Sequence, residues 1–172
     1  FVPDGNYVRI LEDHLGAEAP ALSHGPIVMS DGQYVGEHNG YARFTIGQRR
    51  GLPGGFAHPM YVVAIRPQER AVVIGTREEL MGRGVTAREM NWLAEPPALG
   101  ATVHVRIRHR APLARGEIIR LDNDEIEIAL DEPVMAITPG QSIVLYQGTA
   151  VIGGGFIEAG HGARAPLPVM AA

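Results

Sequence analysis

The densest run of residues able to do chemistry is Arg106-Ile107-Arg108-His109-Arg110, extended by Arg115 and Arg120. In an extended chain alternate residues share a face. Arg106, Arg108 and Arg110 then point one way, and Val105, Ile107 and His109 the other. Three like charges along one face repel unless an anion sits against them, and phosphate is the natural anion. The alternative is a solvated outer face balanced by Glu125, Glu127 and Asp131 on neighbouring strands, and the residues themselves leave both readings open. A second basic constellation is Thr45-Ile46-Gly47-Gln48-Arg49-Arg50-Gly51-Leu52. Glycine lets a backbone approach a ligand closely and arginine supplies a planar fork of donors. The plain alternative there is an exposed loop.

Other chemistries find less support. Gly153-Gly154-Gly155 lacks the Gly-Lys-Ser/Thr ending of a phosphate loop and opens no helix, so it reads as a glycine bend at a barrel corner. His14, His24, His38, His58, His104, His109 and His161 include no His-x-x-x-His pair, which leaves no local zinc signature and no metal site is expected. No Gly-x-Ser-x-Gly elbow is present. Asp122/Asp124 and Asp131/Glu132 fall at turns, where carboxylates serve the turn. Cysteine is absent, which excludes disulfides, thiolate ligands and cysteine nucleophiles within these residues and fits a cytoplasmic protein. All 15 basic residues are arginine, an outcome that a GC-rich genome explains, and arginine suits phosphate and base edges better than lysine. At a net charge of −4 the chain as a whole is no basic nucleic-acid binder, so any such contact is local.

These side chains need elements to hold them. The 172 residues allow one ordinary domain or two small ones. No apolar stretch approaches the roughly 18 residues of a membrane span, and no signal peptide is visible, so no membrane is expected among its partners. A chain that starts at Phe1 rather than Met reads as cut from something longer. Asp4 is placed to cap a helix that carries Tyr7, Ile10, Leu11 and His14 at helical spacing and stops at Gly16. A hairpin follows, Pro26–Met29 and Gln33–Glu37 around Ser30-Asp31-Gly32. Residues 38–56 show little periodicity and read as an ordered loop. Met60–Arg66 and Ala71–Thr76 flank a Pro67 turn, and Arg77–Met81 is a candidate helical turn. Gly82-Arg83-Gly84 looks like a boundary. Beyond it Thr86–Leu93, Thr102–Arg110, Gly116–Leu121, Glu125–Leu130, Gln141–Tyr146 and Val151–Ile157 alternate with turn residues, the pattern of a small closed barrel. The expected fold is therefore mainly β. It has a small α+β central module over 1–83 and a six-stranded antiparallel β-barrel over 84–172, with a loose tail from about 159.

The order of several short motifs carries more than any one of them. Phe1-Val2-Pro3-Asp4-Gly5, His38 with Thr45–Leu52, Tyr61-Val62-Val63 and Asn91-Trp92 come first. Arg106–Arg110, Asp131-Glu132-Pro133, Thr138-Pro139-Gly140-Gln141 and Gly153-Gly154-Gly155 follow. This ordered set resembles the C-terminal half of the tRNA-specific 2-thiouridylases, from residue 1 to about 158. The resemblance implies a parent transferase in the cytoplasm, a tRNA-uridine 2-sulfurtransferase. There an ATP-pyrophosphatase domain uses ATP and Mg to activate the wobble uridine, and a persulfide sulfur-donor protein supplies sulfur. The persulfide cysteine of the family stands directly before the Phe-Val-Pro-Asp-Gly motif, the position preceding Phe1. No catalytic residue and no cofactor are thus expected within these residues, and the fragment is expected to be inactive by itself. What carries over is RNA contact: the family's Arg-aromatic pair falls on Arg108 and His109, where His replaces the usual Tyr, and its tRNA-contacting Gln falls on Gln141. Arg106, Arg110, Gln48, Arg49 and Arg50 are further candidates for RNA or active-site contact. Two rivals remain: a stand-alone, translation-factor-like barrel that binds RNA or protein without catalysis, and a structural barrel whose acidic surface recruits a protein.

Overall fold

The computed structural model describes residues 7–16, 18–122 and 124–162. The Phe1–Gly5 motif, the Asp4 cap and residues 163–172 of the expected tail lie outside the described residues. The chain divides into two compact units, the first ending at Glu79 and the second beginning at Leu80.

In the first unit, helix α1 (Tyr7–Leu15) stops at Gly16, whose φ of 82° is one that side-chain-bearing residues avoid. Strands β1 (His24–Met29) and β2 (Tyr34–Asn39) form the expected hairpin. Its turn is closed by Gly32 N–H to Met29 O at 2.9 Å and by Gln33 N–H to the Asp31 carboxylate at 2.9 Å. Strands β3 (Tyr61–Arg66) and β4 (Ala71–Gly75) form the second hairpin, through a short 3-10 turn at Pro67–Glu69. The sheet order is β2-β1-β4-β3, with β1 parallel to β4 and the other pairs antiparallel. Strand β4 is buried along its whole length, which is why Ala71-Val72-Val73-Ile74 reads as a continuous apolar run. Ile27, Met60, Val62, Val72 and Ile74 make the core. Tyr41, Phe44, Leu52 and Phe56 pack against it, so the aperiodic stretch 38–56 is ordered by the aromatic and aliphatic anchors it lends to the sheet.

The second unit is a closed barrel in the order β10-β5-β8-β7-β6-β9, every neighbouring pair antiparallel. Its strands are β5 (Met81–Trp92), β6 (Thr102–Arg106), β7 (Ala114–Leu121), β8 (Glu125–Met135), β9 (Ser142–Gln147) and β10 (Ala150–Gly162). Period-two alternation sends Val85, Val103, Val105, Ile118, Ile126, Ile128, Ile143, Leu145 and Ile157 inward, where they are buried to 1% exposure or less except Ile157 at 2%. Each such side chain contributes about 1.5–3 kcal/mol by leaving water. Closure removes the unpaired edges that an open sheet would expose.

Four expectations need correction. The boundary expected between Arg83 and Gly84 is strand interior: β5 already begins at Met81. Gly82 and Gly84 are there because β10 and Ile137 come close: a Cβ on Gly82 would lie 2.7 Å from the Ile137 side chain. The tail is not loose from 159, because Ala159, Gly160, His161 and Gly162 pair with β5, and the His161 ring meets the Thr86 hydroxyl at 2.6 Å. Strand β8 runs to Met135 rather than ending at Leu130. Asp131-Glu132-Pro133 bulges from it, since Gly84 pairs with Ala129 while Gly82 pairs with Val134. Finally, β6 ends at Arg106, not Arg110. Ile107 is the last inward residue, at 3% exposure, and His109 would come next. An unpartnered imidazole in that apolar core is costly, and Pro112 cannot donate to a ladder, so the chain turns instead. The glycine triplet lies within β10, with one register shift just before it and another that skips Gly155, and a Cβ on Gly153 would stand 2.7 Å from the Trp92 ring.

Candidate nucleic-acid interface

The early end of β6 changes what the basic run can be. Val103 and Val105 face the core, so Thr102, His104 and Arg106 face outward on the barrel wall. Register places His104 between Arg115 on β7 and Tyr146 on β9, and Arg106 beside Val144. The Arg106 guanidinium lies over the Tyr146 ring at 5.6 Å from its centroid, within cation–π range. Its Nε is buried and has no hydrogen-bond partner among the described residues. Arg108, His109 and Arg110 are exposed on the turn that follows, closed by Ala111 N–H to Arg108 O at 3.0 Å, with Arg110 at φ 66°. The three arginines therefore do not share one strand face. One stands on the wall and two on the turn.

Gln141 reaches the same end of the barrel. Strands β6 and β9 are antiparallel with Arg106 opposite Val144, so the chain leaves β6 where β9 begins at Ser142. Gln141 sits immediately before that start, at the close of a Thr138-Pro139-Gly140 turn in which Gly140 N–H bonds Ile157 O at 2.8 Å. The Gln141 backbone carbonyl accepts from Ile157 N–H at 2.8 Å, while its side-chain Oε1 is buried with no partner among the described residues. Strand register thus places Arg106, Arg108, His109, Arg110 and Gln141 at the same end of the barrel.

The acids that could have balanced this cluster face other partners. Asp131 takes Arg115 at 2.7 Å, and its carbonyl accepts from Arg83 at 2.8 Å. Glu125 takes Arg120 at 2.8 Å, which Asp122 also holds at 3.0 Å. The Asp122 hydrogen bond and then the Glu125 charge raise the Arg120 pKa. Glu127 lies 3.9 Å from His161. Among the described residues Arg106, Arg108 and Arg110 have no ion pair.

In the first unit the Thr45–Leu52 loop is tied to β3 by Gly47 N–H to Val62 O at 2.8 Å and Val62 N–H to Gln48 O at 2.9 Å. The Gln48 side chain clips the loop from within. Its Oε1 accepts from Thr45 N–H at 3.1 Å and its Nε2 donates to Arg50 O at 2.9 Å. Both ends of that amide are occupied, so Gln48 frames the loop, and Arg49 and Arg50 project from it, exposed and without an ion pair among the described residues. His38, which opens this motif, is buried at 5% exposure. Its Nε2 bonds Arg70 O at 3.0 Å and its Nδ1 accepts from Gly40 N–H at 3.1 Å, which fixes a neutral ring with the proton on Nε2. Burial lowers its pKa. Tyr146 is the residue that the sequence reading missed. Its signal was an aromatic at an outward position of an alternating strand, but only register sets it beside Arg106. Among the described residues no cluster of three or more His, Asp or Glu is placed to hold a metal ion.

Comparison with known proteins gives two family models and a set of curated relatives. Residues 10–76 match a tRNA methyl transferase PRC-barrel domain, and residues 82–157 match an aminomethyltransferase beta-barrel domain. The chain is 40% identical over 160 residues to a tRNA-specific 2-thiouridylase of Koribacter versatilis, covering 91% of this chain and 43% of that protein. It is 39% identical over 164 residues to that of Halothermothrix orenii, covering 92% and 44%. With that of Salinibacter ruber it is 41% identical over 170 residues, covering 95% and 43%. The chain spans a little under half the length of the curated relatives it matches.

Proposed function

This chain belongs to the family of the tRNA-specific 2-thiouridylases, and on that premise we propose that it is the tRNA-holding C-terminal part of an enzyme that 2-thiolates the wobble uridine of tRNA. The observation that carries the reading is the uncompensated cluster at one end of the barrel. Among the described residues Arg108 and Arg110, exposed on a turn, have no ion pair, Arg106 lies over Tyr146 on the preceding strand, and the Gln141 side-chain oxygen has no partner.

In this reading the barrel does no covalent chemistry. Arg106, Arg108 and Arg110 take phosphate oxygens and fix the position of the tRNA without reading its sequence. His109 gives a flat ring and a polar edge for a base or ribose, and Gln141 a hydrogen bond. Arg49 and Arg50, on the loop that Gln48 clips, provide a further phosphate contact from the first unit. ATP with Mg, and a persulfide-bearing donor protein, supply activation and sulfur in the whole enzyme. With no cysteine in its 172 residues this chain offers no thiol to carry persulfide sulfur. The setting is the cytoplasm; no helix among the described residues is long and apolar enough to cross a membrane.

The test is a low-salt filter-binding titration of the chain with unfractionated tRNA. Arg108→Ala weakens binding several-fold with the melting curve unchanged; undiminished affinity refutes the assignment.

A further inference from the structure

The first unit holds a cavity of about 510 Å³ at the far end of the β3–β4 hairpin, within the size range of small-molecule sites. It is lined by His58, Pro59, Tyr61, Thr76, Arg77 and Glu78. None of these belongs to the basic cluster of the barrel or to the Thr45–Leu52 loop.

The lining has a definite polarity. The backbone N–H of Thr76 is held by the Glu79 carboxylate at 2.6 Å, which starts the 3-10 turn Glu78–Leu80 and aims the Arg77-Glu78 pair. The Glu78 carboxylate lies near its own backbone N–H and the Thr76 side chain, the two groups that most lower its pKa. Those groups, helped by the charges of Arg77 and His58, keep it ionised below the usual carboxylate range. Arg77 and Glu78 make no ion pair with each other or with any other described residue, so the Arg77 head is unpaired and Glu78 keeps the lone pairs that its local donors leave. The lining therefore combines a guanidinium and a carboxylate from adjacent residues with a phenol and an imidazole.

We infer that this cavity takes an unstacked guanine base, with Arg77 donating to O6, Glu78 accepting from N1–H and N2–H, and the Tyr61 ring against the base. Guanine alone among the four bases presents one acceptor followed by two adjacent donors on its Watson–Crick edge. Adenine and cytosine present a lone pair where Glu78 needs the central donor, and uracil presents one N–H between two carbonyls. Aromatic faces stack on bases of any kind, so Tyr61 adds affinity and the Arg77–Glu78 pair adds choice. A hydrogen-bonded pair of this kind discriminates between bases by roughly tenfold or more. The inference deepens the RNA-holding reading and rests on it only for the origin of the base.

The experiment is a titration of the whole chain with GMP, AMP, CMP and UMP, read from Tyr61 and neighbouring amide signals in NMR, and repeated with Glu78→Gln. A parallel arm uses two single-stranded RNAs, oligouridine and the same oligomer with one G. The expected result is a preference for GMP of about tenfold, abolished in Glu78→Gln, which keeps one acceptor where guanine needs two. Loss of preference for the G-bearing oligomer as well assigns the base to RNA; loss confined to GMP assigns it to a free nucleotide. Equal binding of all four nucleotides, or shifts that bypass this cavity, overturns the inference. Because Arg108 belongs to the other unit and is not varied in this test, tRNA binding that persists while the guanine preference fails leaves the barrel reading standing.

Discussion

If Arg108 and Arg110 neutralise phosphates, removing their charges must change how tRNA binding responds to salt. Each phosphate neutralised contributes about 0.7–0.9 to the slope of log affinity against log salt concentration. The double variant Arg108→Gln/Arg110→Gln is therefore expected to flatten that slope by about 1.4–1.8. Between 50 and 200 mM salt this corresponds to a gap between native chain and variant that narrows by roughly tenfold. Glutamine keeps much of the stem and a polar head, so the loss is chiefly of charge. Both side chains are exposed and have no ion pair among the described residues, so the variant is expected to unfold within about 0.5 kcal/mol of the native chain. The assay is filter binding at four or five salt concentrations, with a denaturant melt as the folding control. Parallel lines refute the reasoning even if affinity falls, because a loss that salt does not modulate is not a lost phosphate contact.

Three further outcomes follow from the geometry. His38 has a folded pKa lowered by burial; the unfolded chain then binds a proton that the folded one refuses, so stability is full above about pH 6.5 and falls as pH drops below it. Thermal melts from pH 7.5 to 5.5 are expected to show that decline and His38→Gln to reduce it; identical slopes refute the account. Gln48→Ala removes two side-chain bonds that clip the loop, worth about 1–2 kcal/mol together, and is expected to speed tryptic cleavage after Arg49 or Arg50 several-fold. An unchanged cleavage rate means the amide does not hold the loop. Ile128→Ala, at a site with 0% exposure, is expected to cost about 2–5 kcal/mol in denaturant unfolding. Val151→Ala, at 43% exposure on the barrel wall, is expected to cost about 0.5 kcal/mol or less.

Sequence pattern marked strands at Ala71–Thr76, Thr102–Arg110 and Glu125–Leu130, and the structure has strands there with shifted ends. Local chemistry was legible too, in the Gly16 stop, the Asp31-Gly32 turn and the Pro67 turn, because a φ above zero or a missing N–H acts within a few residues. Motif order was enough to point to the family. What no local rule contains is register. Where β6 lies against β9 decides that Arg106 meets Tyr146 and that Gln141 stands at the barrel end where the Arg108–Arg110 turn leaves β6. Strand pairing likewise decides that Asp131 and Glu125 serve Arg115 and Arg120, leaving the basic cluster uncompensated. The early end of β6 and the glycines of β5 answer to the interior of the closed barrel, where His109 has no partner and Ile137 leaves no room for a Cβ at Gly82. Gln48 shows the same division: its residue type and its glycine-flanked setting suggested a contact, and only the folded loop shows that Thr45 and Arg50 already hold both ends of its amide.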